Sequence, residues 1–437
     1  MKHSDAIKVT LAAAINEFAA NPDNYAVNPG KDFTRNRKLG FKDFLLLLLT
    51  MEGDCIKEEL YRYFGRSTDA PSKAAFYKQR KKLKVDALKN LLLIFNRKLK
   101  KNLYQDKYQL VACDGSAADI FRNPEDTDTF FEPNAKSTKG FNQIHINAFY
   151  SILDRRFTDL VIQPGRKRNE YSAFAEMVDA SDSADPTAIY LCDRGYASYN
   201  NFAHVIEKDQ FFLIRCTDKK AQGILGFSLD GVKEIDCHVD RILSRSQSKK
   251  KRLQPEKAEN YRHICQSVPF DFLSEEHPEY PISLRIVRIE IAENCFENII
   301  TNLPVLEFDI DDFKDLYHLR WQEENSFRDL KYPLCLKDFH SKKYEYIVQE
   351  VWARAILHNF CSEIITSVTI ENHDTKLEYQ VNFSEGFKTC REFLRIHNGT
   401  VFDVEGLIAQ NIEAIRLGRT FTRQKRFKLP FSFCYRN

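Results

Sequence analysis

Near residue 108 the spacing of apolar residues changes, and one kind of secondary structure cannot accommodate both sides of the change. Before it, in KDFLLLLL and IKEELYRYFG, apolar residues recur at three and four, the period that buries one stripe of a helix. After it, YQLVACDGS and AIYLCDRGY are unbroken apolar runs, while QIHINAFYSIL and FTDLVIQPG alternate around the turn DRR; these are the patterns of strands. Helical spacing returns in RNEYSAFAEMVDA before the fourth run and in YNNFAHVIEKD after it, and FFLIRC supplies a fifth strand. Three strands in a meander, then alternating helix and strand, require an α/β fold in which helices flank a mixed sheet.

At 437 residues the chain exceeds one ordinary core, and its pattern divides into five stretches. Residues 1–105 read as a helical domain, with Gly65 as a C-cap and a basic third helix opening at Ser72 in PSKAAFYKQRKKLK. Residues 106–217 carry the meander and the first βα units. Residues 218–308 read as a β-rich insertion (VKEIDCHV, ISLRIVRIEI, FENIITNL) with an exposed loop, SQSKKKRLQPEKAEN. Residues 309–370 return to helix in DIDDFKDLYHLRWQEENSFRDLK, whose acidic start suits a helix N-terminus and whose end is set by Pro333. Residues 371–437 read as helical with a basic tail from Arg416.

Net charge of +3 hides segregation: from Lys78 to Lys101 ten Lys or Arg face only Asp86. Such an excess suits a polyanion, and the basic helix reads equally well as a DNA-groove helix or as a solvated cationic face. The eleven cysteines form no C-x-x-C pair, so neither a zinc ribbon nor a redox motif is indicated, and a reduced compartment fits best. FKDFLLLLLTM falls far short of the ~18–20 apolar residues of a membrane span. Glu17 interrupts the N-terminal apolar run, so no export signal is read. The expectation is a cytoplasmic, nucleoid-associated protein without a membrane partner.

Tyr317, Arg320, Glu324 and Lys331 fall at intervals of three, four and seven. On a straight helix they share one side, spread over ~21 Å. That is too long for one metal ion but suits a carboxylate at a reaction centre with cationic and phenolic groups along an extended anion. Alone, the stripe is better explained by surface ion pairs of Glu324 with Arg320 and Arg328. Asp114 and Asp193 alter the balance, because each ends an apolar strand (VACDGS, YLCDRGY) where an unpaired carboxylate is costly. Each is also an ordinary turn residue when taken singly. Together with Glu324 they form the three-carboxylate set of a two-metal phosphoryl-transfer site.

YHLRWQEENSFRDLK resembles the Tyr-Arg-Glu-Lys signature of the insertion sequence four family of DDE transposases, with every interval met by Tyr317, Arg320, Glu324 and Lys331. CDGS and DRGY are similar to that family's two aspartate motifs, and the β-rich stretch is similar to the family's insertion. The resemblance implies a ribonuclease H-like fold in which Asp114, Asp193 and Glu324 are catalytic and hold two Mg²⁺ ions, with Mn²⁺ able to substitute. It implies that Tyr317, Arg320 and Lys331 engage DNA phosphates, and that Trp321 stacks a flipped base; ordinary packing explains Trp321 equally well. The implied partners are double-stranded DNA with terminal inverted repeats, target DNA and a second copy of the chain on DNA. A related metal-dependent nuclease, and a catalytically inactive DNA-binding derivative of a transposase, are the alternatives.

Overall fold

The computed structural model describes residues 1–135, 137–182, 185–246, 260–293, 295–320, 322–370, 378–396 and 402–415, and for Ala292 and residues 322–325 it describes the backbone alone. The loop expected at 247–259 and the tail from Arg416 lie outside the described residues.

Five helices open the chain: α1 (His3–Ala20), α2 (Phe41–Thr50), α3 (Ile56–Tyr63), α4 (Lys73–Arg80) and α5 (Ala87–Arg97). Ser72 caps α4 by accepting a hydrogen bond from the Ala75 amide, and Gly65 follows α3 at φ +63°, the left-handed conformation that releases a chain from a helix.

The sheet is mixed and has ten strands. Strand β1 (Gln109–Ile120) is followed by the short β2 (Phe130–Phe131), then β3 (Phe141–Ser151) and β4 (Arg156–Pro164). β1 pairs antiparallel with β3, and β3 with β4, which is the expected meander. Helix α6 (Glu170–Asp179), capped by Asn169, leads to β5 (Ala188–Cys192); α7 (Tyr199–Glu207), capped by Ser198, leads to β6 (Phe211–Cys216). β5 pairs parallel with both β1 and β6, and all five of its residues are buried, as the unbroken apolar run requires.

Beyond α8 (Asp218–Leu225) come β7 (Ile235–Ser244), β8 (Tyr261–His263), β9 (Glu279–Ala292) and β10 (Cys295–Thr301). The stretch that reads as an insertion is β-rich and does not form a layer of its own. β10 pairs antiparallel with β6, so the order continues β6-β10-β9-β7-β8 and the whole stretch widens the same sheet.

Helices α9 (Ile310–Leu319), α10 (Gln322–Lys331) and α11 (Tyr344–Ser367) cover one face of the sheet, with α12 (Phe383–Arg395) packed on α11 and α2, and α6 and α7 cover the other face. α11 is buried along almost its full length. Its core is continuous with α1, α2 and α5, so the first hundred residues share an interior with the sheet and the late helices. Among the described residues no helix is long and apolar enough to cross a membrane.

Candidate active site

The parallel pairing of β1 with β5 runs through Cys113↔Cys192. One step further along each strand stand Asp114 and Asp193. Alternation sends Cys113 and Cys192 into the core beneath α6 and α7, so both aspartates fall on the opposite face, the side of α9 and α10. Burial pushes the Cys113 thiol well up, which keeps it protonated and removes it as a metal ligand.

Asp193 follows the end of β5 as expected and accepts a 2.6 Å hydrogen bond from the Arg194 amide. Asp114 departs from expectation. It does not end its strand, because β3 goes on pairing with β1 as far as Ile120. What ends at Cys113 is only the pairing with β5, so Asp114 sits where the sheet parts on one side while its backbone stays tied on the other. Its carboxylate accepts from the Gly115 amide at 2.7 Å. Gly115 is required there: a Cβ would lie 2.6 Å from His145 Nε2 and 3.2 Å from Asn147 Oδ1, both on buried side chains of β3. His145 in turn sits 3.1 Å from Glu170, and the hydrogen bond from its ring holds that carboxylate below its ordinary range.

The straight helix expected over 309–331 is two helices. The Arg320 amide reaches the Tyr317 carbonyl at 3.2 Å, tightening the last turn of α9, and α10 starts at Gln322. Trp321 lies outside the described residues, and so does the Glu324 side chain, although the Glu324 backbone belongs to α10. Both signature residues on α9 are buried: Tyr317 is 8% exposed and Arg320 4%. The Arg320 guanidinium lies 5.6 Å from the centre of the Tyr317 ring. Desolvation works against its charge, but Tyr317 and the charges of Asp193 and Asp114 outweigh burial and raise its pKa, so both aspartates lie within its electrostatic reach. Lys331 closes α10 just before Pro333, and its Nζ meets Ser116 Oγ at 2.6 Å, two residues from Asp114 on the same face of β1.

The sequence reading missed two charged residues. Arg215 lies near the end of β6 and forms an ion pair with Glu297 of β10, and its Nη1 donates to the Tyr317 hydroxyl at 3.5 Å. Burial raises the Glu297 pKa and the charge of Asp193 adds to the rise, although Arg215 opposes it. Asp114, Asp193, Arg215 and Glu297 thus lie on four successive strands, β1-β5-β6-β10, at the same end of the sheet. The available signal was Arg215 itself, a cation closing the apolar run FFLI as Asp193 closes AIYLC.

Asp114 and Asp193 are half-buried, reachable from solvent, and offer the hard oxygen donors that Mg²⁺ and Mn²⁺ prefer. Among the described residues no third His, Cys, Asp or Glu completes a metal cluster.

The family described as transposase DDE domain matches residues 105–360. None of the curated proteins matches the sequence. Among solved structures, the piggyBac transposase synaptic complex with hairpin DNA, determined by cryo-electron microscopy, is similar at 10% identity and a TM-score of 0.42, covering 89% of this chain and 77% of that one.

Proposed function

The chain belongs to the transposase DDE domain family, and from that premise we propose that it is an insertion sequence four type enzyme that cuts at the ends of its element and joins the 3′-hydroxyls to target DNA. On this reading Asp114, Asp193 and Glu324 are the metal-holding carboxylates. The observation that carries it is the register: Cys113↔Cys192 sets Asp114 beside Asp193 on one face, in reach of Arg320. The β4-β3-β1-β5-β6 order, antiparallel and then parallel, supports a ribonuclease H-like core.

Two bound divalent ions would supply an activated water or 3′-hydroxyl and stabilise the leaving oxygen. The chain's own groups do the rest. Backbone amides at Gly115 and Arg194 orient the two carboxylates. Arg320, anchored against Tyr317, presents a planar fork of donors to a phosphate, and Lys331 adds a point charge about two helical turns beyond Glu324. Trp321 stacks a base displaced from the duplex. Residues 1–105 read the inverted repeats, and two copies of the chain bring two ends together.

The test is cleavage of a duplex carrying the inverted repeats that flank the coding sequence, with Mg²⁺ present. Asp114→Asn, Asp193→Asn and Glu324→Gln should each lower the rate by about 10³-fold or more, the equivalent of several kcal/mol of lost charge stabilisation, while duplex binding persists. Cutting that survives in all three variants refutes the assignment.

A further inference from the structure

Helix α4 stands between two open hollows. One, of about 520 Å³, lies between α4 and the segment leading into α11, and is walled by Tyr77, Lys78, Lys81, Lys342, Lys343 and Tyr346. Its lining holds four lysines and no carboxylate. The other, of about 820 Å³, shares Lys78 and Lys81 and adds Arg37, Lys38 and Lys82. Its one acid is Asp32, which is buried and whose Oδ2 accepts from the Asn28 amide and side chain at 3.0 Å each.

Among the described residues Lys78, Lys81 and Lys343 meet no carboxylate, although Lys38 at the second hollow pairs with Asp69 at 2.6 Å and ion pairs are plentiful elsewhere on this surface. Like charges gathered this way repel one another until a counter-anion arrives. The walls are also fixed. On the buried side of α4, Arg80 pairs with Glu350 of α11 at 2.7 Å and stacks 4.8 Å from the Tyr346 ring centre, and the Tyr77 hydroxyl donates to the His340 carbonyl at 2.6 Å. A cationic groove whose walls are bolted together loses little freedom on binding.

We infer that this groove, built jointly by α4 and residues 341–346, binds the sugar–phosphate backbone of duplex DNA. The inference rests on the transposase reading and adds a site that the signature residues do not touch. Duplex DNA carries one charge per ~1.7 Å of axis, a spread anion that suits a row of flexible point charges. A single small phosphate would call for an arginine fork or a nest of amides instead. Residue 341 follows the end of α10 by ten positions, and Leu334, Leu336 and Phe339 anchor the intervening chain in the core. DNA held here therefore has a fixed offset from the aspartates.

The experiment is anisotropy of a labelled random-sequence duplex with the full-length chain across a salt series. Lys78→Ala with Lys81→Ala, and separately Lys342→Ala with Lys343→Ala, should each flatten the log–log salt slope by about 1.8, at about 0.9 per phosphate contact, and weaken low-salt binding at least about tenfold. All four lysines are exposed, so folding should survive, and a melting curve matching the parent confirms it. If the parent binds and cuts but either pair leaves the slope unchanged, the joint groove is overturned and the transposase reading stands. If the parent does not bind duplex, both fall. Polyglutamate bound as tightly as duplex, with the same loss in the variants, would assign the groove to an acidic peptide and overturn the proposal.

Discussion

Two of the places where charge is buried in this molecule are built differently. Between the early helices and α11 the network is closed to solvent. Glu350, 1% exposed, faces Arg80 at 2.7 Å and the His340 ring and amide at 3.0 to 3.2 Å, so both of its oxygens are filled. His340 faces Glu59 on its other side at 3.8 Å, and Glu59 in turn accepts from the amides of Glu52 and Asp54. At the end of the parallel strands the arrangement is open to solvent: two half-exposed carboxylates accept from the amide of the next residue and lie within the electrostatic reach of a buried arginine. A closed network serves only to hold elements together. An open one keeps capacity for a ligand.

The largest structural effect should come from breaking the closed network. Glu350→Ala removes the carboxylate that Arg80 pairs with and leaves His340 only the more distant Glu59, and should cost about 3–5 kcal/mol in urea unfolding. Asp193→Asn should move the same curve by less than about 1 kcal/mol, since that carboxylate is partly solvated. Equal losses would erase the distinction. The pH dependence has a definite sign. Burial alone would raise the Glu350 carboxyl, but Arg80 and His340 outweigh it and bring its pKa from 4.5 down to about 2. The stability it contributes is therefore complete above about pH 4.5 and is lost as pH falls toward about 2. His340 works in the other direction. Burial lowers it, Glu350 more than compensates, and its pKa is raised from 6.5, so its contribution is full below that value and fades as pH climbs through the raised one.

A smaller effect should appear at the open site, where packing replaces ion pairs as the means of fixing the backbone. Gly115→Ala drives a Cβ to 2.6 Å from the buried His145 ring and should cost about 1–3 kcal/mol. Gly223→Ala, in α8 with nothing within 4 Å, should instead stabilise by about 0.5–1 kcal/mol. A neutral Gly115→Ala would mean that the ring can move aside and that β3 does not brace Asp114.

These contrasts also mark what could be read from the sequence. Periodicity placed α2, α3, α4, α6 and α7, the meander and the central strands, because each depends on local spacing. The two aspartate motifs stood out because a carboxylate closing an apolar run is costly. What was not legible was register. Nothing local says that Cys113 pairs with Cys192, that β10 joins β6 so that the β-rich stretch continues the same sheet, or that Glu297 therefore meets Arg215. The division of the signature helix at Arg320 was equally hidden, since every interval in YHLRWQEENSFRDLK satisfies an unbroken helix.

The smallest effect concerns Lys331, which stands between the two designs because its Nζ is tied to Ser116, two residues along β1 from Asp114. If it contacts a DNA phosphate, Lys331→Ala should flatten the salt slope of duplex binding by about 0.9, and Arg320→Ala by a similar amount. Ser116→Ala separates position from charge: it removes the 2.6 Å contact but leaves the ammonium, so the slope should hold while cleavage slows. The reverse outcome, an unchanged slope in Lys331→Ala with both variants equally less stable, would make the lysine a bolt between α10 and β1 and move it to the closed side of the comparison.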